Sequence, residues 1–137
     1  MLTMTKRLEF DAGHRLVGHE SKCRNLHGHR YAVEVTLELV KDLDDVGRIV
    51  DFSVVKQMLG GWIDETLDHA FIVNAADPLL AIIAADGKHV VVPFEPTAEN
   101  LAMWIFGVAS SLLNDDRMHV SQLKLWETPT SSAEVTR

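Results

Sequence analysis

Cysteine is almost absent: Cys23 is the only one in 137 residues. A lone thiol cannot close an internal disulfide, so a reducing cytoplasm is the expected compartment. Closed structural zinc sites usually recruit several cysteines, which argues against Cys23 as a fourth ligand in one. No apolar run approaches the ~20 residues of a membrane span, and the opening "MLTMTKRLEF" has no signal-peptide core. Positive charge is scarce, with 13 Lys and Arg against 20 Asp and Glu and a formal charge of −7. That balance argues against a general nucleic-acid surface. It leaves room for an anionic small substrate, because a few local basic side chains can hold a phosphate. Repeats, low-complexity tracts and linkers are missing too, and the expectation is one domain over residues 1–137.

What is present in excess is histidine, seven in all, and position matters more than number. "TKRLEFDAGH" alternates, with Leu8 and Phe10 against Arg7 and Glu9, and reads as a strand ending at His14. "HRYAVEVTLELV" is the clearest strand, with Tyr31, Val33, Val35, Leu37 and Leu39 on one face. "RIVDF" reads as a short returning strand after the turn residues of "KDLDDVG". Asp51 or Ser53 can cap a helix through "VVKQMLGGWIDETL", in which Gly60-Gly61 points to close packing or a bend. "DPLLAIIAADG" reads as a short helix and "KHVVVPF" as a short strand. A long helix follows Thr97 as N-cap, with Leu101, Trp104, Ile105, Val108, Leu112 and Leu113 at core spacing. "VSQLKLWET" alternates as a strand, and "SSAEVTR" adds a last short one. The main order is strand, strand, helix, helix, strand, strand: an α+β domain with an antiparallel sheet and two long helices on one face.

Residues two apart on a strand share a side, so His27 and His29 project together, with Gly28 between them allowing close backbone approach. His14 ends a strand that could pair with theirs. Three converging imidazoles are the ligand set of a catalytic zinc with an open fourth position. The competing reading makes His27 and His29 polar residues at a strand entrance and His14 unrelated to them. For His19, His89 and His119 no partner is visible, and an ordinary surface role is expected. Cys23 is open between a small buried hydrophobe and a thiolate favoured by Lys22 and Arg24. Asp68 and His69 in "LDHAF" are a carboxylate–imidazole pair suited to proton transfer, or a helix-end histidine beside an acid. Glu127 in "LWETP" follows Leu123 and Leu125 on one strand face. It lies at the solvent margin or binds a ring edge with adjacent N–H donors, as in guanine or pterin.

In order, "FDAGHRL", "KCRNLHGHRY", "GRIVDFSVVK", "LDHAF", "PTAENLA" and "LWETPT" resemble the 6-pyruvoyltetrahydropterin synthase family over nearly the whole chain. The short Cys-x-x-x-His-Gly-His gap resembles the bacterial 6-carboxytetrahydropterin synthases of queuosine biosynthesis; animal pyruvoyl synthases have a longer gap. The resemblance implies the tunnelling fold (ββααββ), whose subunits join their sheets into a barrel, commonly a trimer-based hexamer with active sites between subunits. It implies Zn2+ held by His14, His27 and His29, Cys23 as the catalytic thiol, and Asp68 with His69 as the partner acid/base dyad. It implies Glu127 as the anchor of the amino-pyrimidine edge, with Thr97 and Glu99 beside the pterin. The implied reaction converts 7,8-dihydroneopterin triphosphate to 6-carboxy-5,6,7,8-tetrahydropterin, acetaldehyde and triphosphate. The rivals are the pyruvoyl synthase reaction, which keeps the side chain, and a zinc- or pterin-binding module without turnover. Lys22, Arg24 and Arg30 are the candidates for the triphosphate. Two departures stand out: a longer segment between His69 and Pro96, and a tail without an aromatic residue that relatives often carry.

Overall fold

Alternation in the first block produces strand β1, Thr3–His14, which buries Phe10, Ala12 and His14 on one side. The chain loops back through a 3-10 turn at Lys22–Arg24 and returns as β2, His27–Leu39. The two strands pair antiparallel throughout, from Thr3 opposite Glu38 to His14 opposite His27. Strand β5, Met118–Thr128, pairs antiparallel with the far side of β2, and β6, Ser131–Thr136, pairs with β5. Tyr31, Val33, Val35 and Leu37 of β2 and Leu123 and Leu125 of β5 are buried on the same side as Phe10. The computed structural model describes residues 1–137.

Two helical stretches cover that face. Asp51 caps the first, its Oδ1 accepting from the Ser53 backbone N–H at 2.8 Å. Helix α1, Phe52–Val55, runs through a π-helical segment, Lys56–Gly60, into α2, Gly61–Thr66. Gly60 is buried against Leu8, where an added Cβ would meet the side chain at 3.5 Å, while Gly61 faces open space. Close packing therefore holds for Gly60 alone, and the irregularity takes the form of the π turn. A short helix α3, Leu80–Asp86, precedes α4, Ala98–Leu113, which Thr97 caps by accepting from the Asn100 N–H at 3.1 Å. Val55, Leu59 and Ile63 from the first stretch and Leu101, Ile105 and Leu113 from α4 join the sheet residues in one core. No helix is long and apolar enough to cross a membrane.

The α+β class and the antiparallel-rich sheet are as expected, with three differences. Strand β3, Ala70–Asn74, follows His69 directly and lies parallel to β1, and β4, His89–Val92, lies parallel to β3. The six-stranded sheet is therefore mixed, in the order β4-β3-β1-β2-β5-β6. "RIVDF" is not a strand, although Ile49 is buried. Arg117 donates from Nη2 to the Ile49 carbonyl at 2.7 Å and from Nη1 to that of Asp42 at 2.8 Å, supplying donors that no strand provides. In α4 the small residues Ala102 and Ala109 are buried, while Trp104, Val108 and Leu112 stay half-buried.

Candidate active site

The buried face of the sheet changes character at one end. Along β1 it runs Phe10, Ala12, His14; along β2 it runs Tyr31, His29, His27; along β5 it runs Leu123, Leu125, Glu127. Each strand thus carries its apolar stripe to the site and ends it in a polar side chain. Cross-strand register puts His14 opposite His27 and Ala12 opposite His29, which sets three imidazoles in a triangle. Gly28 makes this approach possible, since a Cβ there would sit 3.2 Å from the Ala12 carbonyl oxygen.

One nitrogen from each of these rings lies within 4.8 Å of the others. Hydrogen bonding fixes which nitrogen points inward. The Nδ1 of His14 is 2.8 Å from the Pro96 carbonyl and that of His27 is 2.7 Å from the Asn25 carbonyl. A carbonyl only accepts, so each Nδ1 carries a proton, and in the neutral imidazole it is Nε2 that keeps the lone pair. The Nε2 atoms of His14, His27 and His29 are all buried and without a hydrogen-bond partner. Burial lowers the pKa of His14 to about 4, with the Pro96 carbonyl opposing, and burial lowers His29 against the charge of Glu127. Glu127 Oε1 faces His14 Nε2 at 3.5 Å. With the imidazole neutral this is no ion pair. A carboxylate and a lone pair face each other with no donor between them. Orphaned acceptors of this kind fit a cation, and imidazole with an optional carboxylate oxygen suits zinc.

Beneath the cluster Tyr31 stacks on Phe10 with ring centroids 5.1 Å apart, its hydroxyl oxygen 3.3 Å from His14 Nδ1. Burial raises its pKa, and Glu127 adds to the shift. In sequence Tyr31 reads as core alone, because its position in an apolar alternation hides the polar tip.

Cys23 sits half-buried in the 3-10 turn between the histidine strands, and its carbonyl accepts from the Leu16 N–H at 2.8 Å. Asp68 and His69 form the expected pair, with His69 Nδ1 3.0 Å from Asp68 Oδ2. His69 follows the end of α2 and adopts φ +58°, a left-handed conformation uncommon outside glycine, while its N–H donates to the Asp11 carbonyl. The Asp11 N–H donates to Asp68 Oδ1 at 3.0 Å and is the main cause of the lowered Asp68 pKa. The dyad's turn is therefore pinned to β1, and neither "LDHAF" nor "FDAGH" alone reveals that Asp11 completes it. An open cleft joins His29 to His69 and is walled by Phe71, Ile82, Ile83 and Lys88. The longer segment after His69 thus lines this cleft.

Glu99 shares a separate groove with Glu127 and β6, whereas the Thr97 hydroxyl is engaged as the α4 cap. Among the triphosphate candidates, Lys22 and Arg24 are exposed beside Cys23, and Arg30 is paired with Asp11 at 3.0 Å. His19 accepts from the Ser21 N–H, His89 bonds the Gly87 carbonyl and His119 contacts Arg137, so none joins the cluster.

A family model described as 6-pyruvoyl tetrahydropterin synthase matches residues 3–137. A Rickettsia bellii protein named 6-carboxy-5,6,7,8-tetrahydropterin synthase is 40% identical, covering 98% of this chain and 100% of its own. A Haemophilus influenzae protein of the same name is 38% identical, covering 98% of each chain. Among solved structures, an uncharacterized Wolinella succinogenes protein superposes with TM-score 0.86 at 28% identity, covering 99% of this chain and 98% of that one. The Caenorhabditis elegans 6-pyruvoyl tetrahydropterin synthase shares the fold, with TM-score 0.70 at 23% identity, covering 99% and 95%.

Proposed function

The chain belongs to the 6-pyruvoyl tetrahydropterin synthase family, and from this we propose that it is a zinc-dependent 6-carboxy-5,6,7,8-tetrahydropterin synthase. Its substrates are 7,8-dihydroneopterin triphosphate and one water, and its products are 6-carboxytetrahydropterin, acetaldehyde and triphosphate. The observation that carries the choice of reaction is identity of 38–40% over nearly full length to proteins bearing that name. The three unpartnered Nε2 atoms support metal dependence.

In this reading His14, His27 and His29 hold the zinc, which when bound supplies Lewis acidity at the substrate's side-chain hydroxyls. Cys23, as thiolate, removes the proton from the adjacent side-chain carbon. His69 delivers a proton at C6 of the ring, and Asp68 holds its imidazole in orientation. Glu127 accepts the N–H donors of the amino-pyrimidine edge, with Thr97 and Glu99 bordering the ring. The Pro96 and Asn25 carbonyls fix the tautomers of His14 and His27, so that both present lone pairs. Residues 1–137 act as one such domain, in the cytoplasm, serving queuosine biosynthesis. The working form is a homo-oligomer, trimer-based or hexameric, with sites between subunits and no nucleic-acid or membrane partner.

The family model's description names the pyruvoyl reaction, which defines the competing product. Zinc-loaded protein incubated with dihydroneopterin triphosphate is expected to release acetaldehyde in step with triphosphate. A pyruvoyl product without acetaldehyde decides for the rival, and no turnover at all decides for a binding module.

A further inference from the structure

The segment between β3 and β4 does more than line the cleft. At its start Asp77, with its side chain 1% exposed, takes the Arg15 guanidinium in a two-pronged grip of 2.8 Å from Nε and 2.9 Å from Nη2. Burial opposes ionisation of Asp77, but the Arg15 bonds win and its pKa is lowered. The same carboxylate accepts from the Leu79 N–H at 2.8 Å, so both oxygens are committed. Arg15 directly follows His14 and also reaches the Arg24 carbonyl from Nη1 at 3.4 Å. Its neighbour Leu16 donates to the Cys23 carbonyl. The turn bearing Cys23 is thereby held through two consecutive carbonyls by two consecutive residues, one of which Asp77 fixes from behind.

At the segment's other end Lys88 donates from Nζ to the Asp64 carbonyl at 2.9 Å and to that of Asp68 at 2.6 Å. Its own carbonyl accepts from the Phe71 N–H at 3.0 Å. Lys88 thus closes the C-terminal end of α2, where carbonyls lack helical partners, and clamps the turn that forces His69 into its left-handed conformation. Buried ion pairs add little net stability over apolar packing, so their value lies in fixing geometry.

We propose that the segment between Asn74 and His89 is a brace whose two ends, Asp77 and Lys88, are positioning residues: Asp77 sets the Cys23 turn through Arg15, and Lys88 sets the Asp68–His69 turn. The inference rests on the proposed roles of Cys23 and His69, and its test reads the geometry separately from turnover. In the full-length, zinc-loaded protein, Asp77→Asn keeps an acceptor for Leu79 but loses the charged grip. It is expected to change the rate of Cys23 alkylation by iodoacetamide several-fold while leaving the His69 ring resonance in place. Arg15→Lys, which cannot span both carboxylate oxygens, gives the same signature. Lys88→Met does the reverse, shifting the His69 resonance and leaving alkylation unchanged, and Lys88→Arg restores it. Because misplacing a reacting group by about 1 Å can cost up to ~10²-fold, kcat should fall on the order of 10-fold in Asp77→Asn and Lys88→Met with KM within about twofold. Wild-type alkylation in both Asp77→Asn and Arg15→Lys, or an unmoved His69 resonance in Lys88→Met, overturns the proposal. So does a kcat loss that only tracks the unfolded fraction. If the wild-type protein does not turn over the pterin, the alkylation and resonance arms still decide the brace, so the two failures are distinguishable.

Discussion

At the scale of single residues, the proposed roles separate groups that hold from groups that react. His27 offers a lone pair because the Asn25 carbonyl occupies its other nitrogen, whereas the Cys23 thiol is not among the grouped ligand atoms. Cys23→Ala is therefore expected to lose on the order of 10²–10⁴-fold in turnover while metal analysis shows zinc retained. His27→Ala should do the opposite first, weakening zinc by more than the ~10–100-fold typical of losing a group outside the ligand set. A zinc-free Cys23→Ala protein, or a fully loaded His27→Ala protein, reverses these assignments. Acid dependence follows from His14. Burial places its pKa at about 4 against an ordinary 6.5, so between these values the unfolded chain binds a proton that the folded chain refuses. Stability of the metal-stripped protein then rises with pH across this window. It should be complete above pH 6.5 and fall by roughly 3 kcal/mol as acid carries the folded protein down through pH 4. Urea titrations of stripped wild-type and His14→Asn protein check this, since the variant should lose that part of the slope.

At the scale of elements, period-two strands position the histidine cluster. A one-residue slip of β2 against β1 would turn His27 and His29 to the outer face, so the apolar stripe from Tyr31 to Leu37 fixes the histidine cluster as well as the core. Elements with long, one-sided patterns were legible for this reason: β1, β2, α4 and β5 stand where the sequence places them. Strand β3 was not, because "AFIVN" is five residues with Ala70, Ile72 and Val73 all buried, leaving no alternation to read. "RIVDF" misled in the other direction, since burial of Ile49 there is satisfied by Arg117 rather than by a sheet partner. The glycine pair shows how position divides like residues. Gly61 is helical at φ −61° with nothing within 4 Å of an added Cβ. Gly61→Ala should thus stabilise by about 0.5–1 kcal/mol from helix propensity. That corresponds to a rise of roughly 2–4 °C in Tm, readable by calorimetry, and a drop would place an unseen contact at this position.

At the scale of the molecule, the sheet ends in two open edges, β4 and β6. Unpaired edges are templates for another chain, and joining sheets edge to edge is one way to remove them. The proposed trimer-based assembly predicts a light-scattering mass that is a multiple of three chains, with a midpoint of thermal unfolding that rises with protein concentration. A monomer with a concentration-independent midpoint would remove the between-subunit site from the reading. The position of the cleft from His29 to His69, walled by Ile82 and Lys88, likewise belongs to this scale, since those residues are more than forty positions apart from His29 in the chain.

By itself the sequence determined the strand faces, the α4 cap, the pairing of Asp68 with His69 and the shared side of His27 and His29. All of these follow from spacings of a few residues, where backbone geometry leaves few choices. Tertiary structure alone decided that His14 closes the triangle, that Pro96 and Asn25 set the tautomers, and that Glu127 faces the cluster. It also decided that Asp11 bonds the Asp68–His69 pair, that Asp77 reaches the Cys23 turn through Arg15, and that Lys88 reaches the Asp68–His69 turn. These are contacts between segments that only packing brings together, and many of them end on backbone carbonyls and amides. Every residue carries such groups, so nothing in the identity of a side chain announces them.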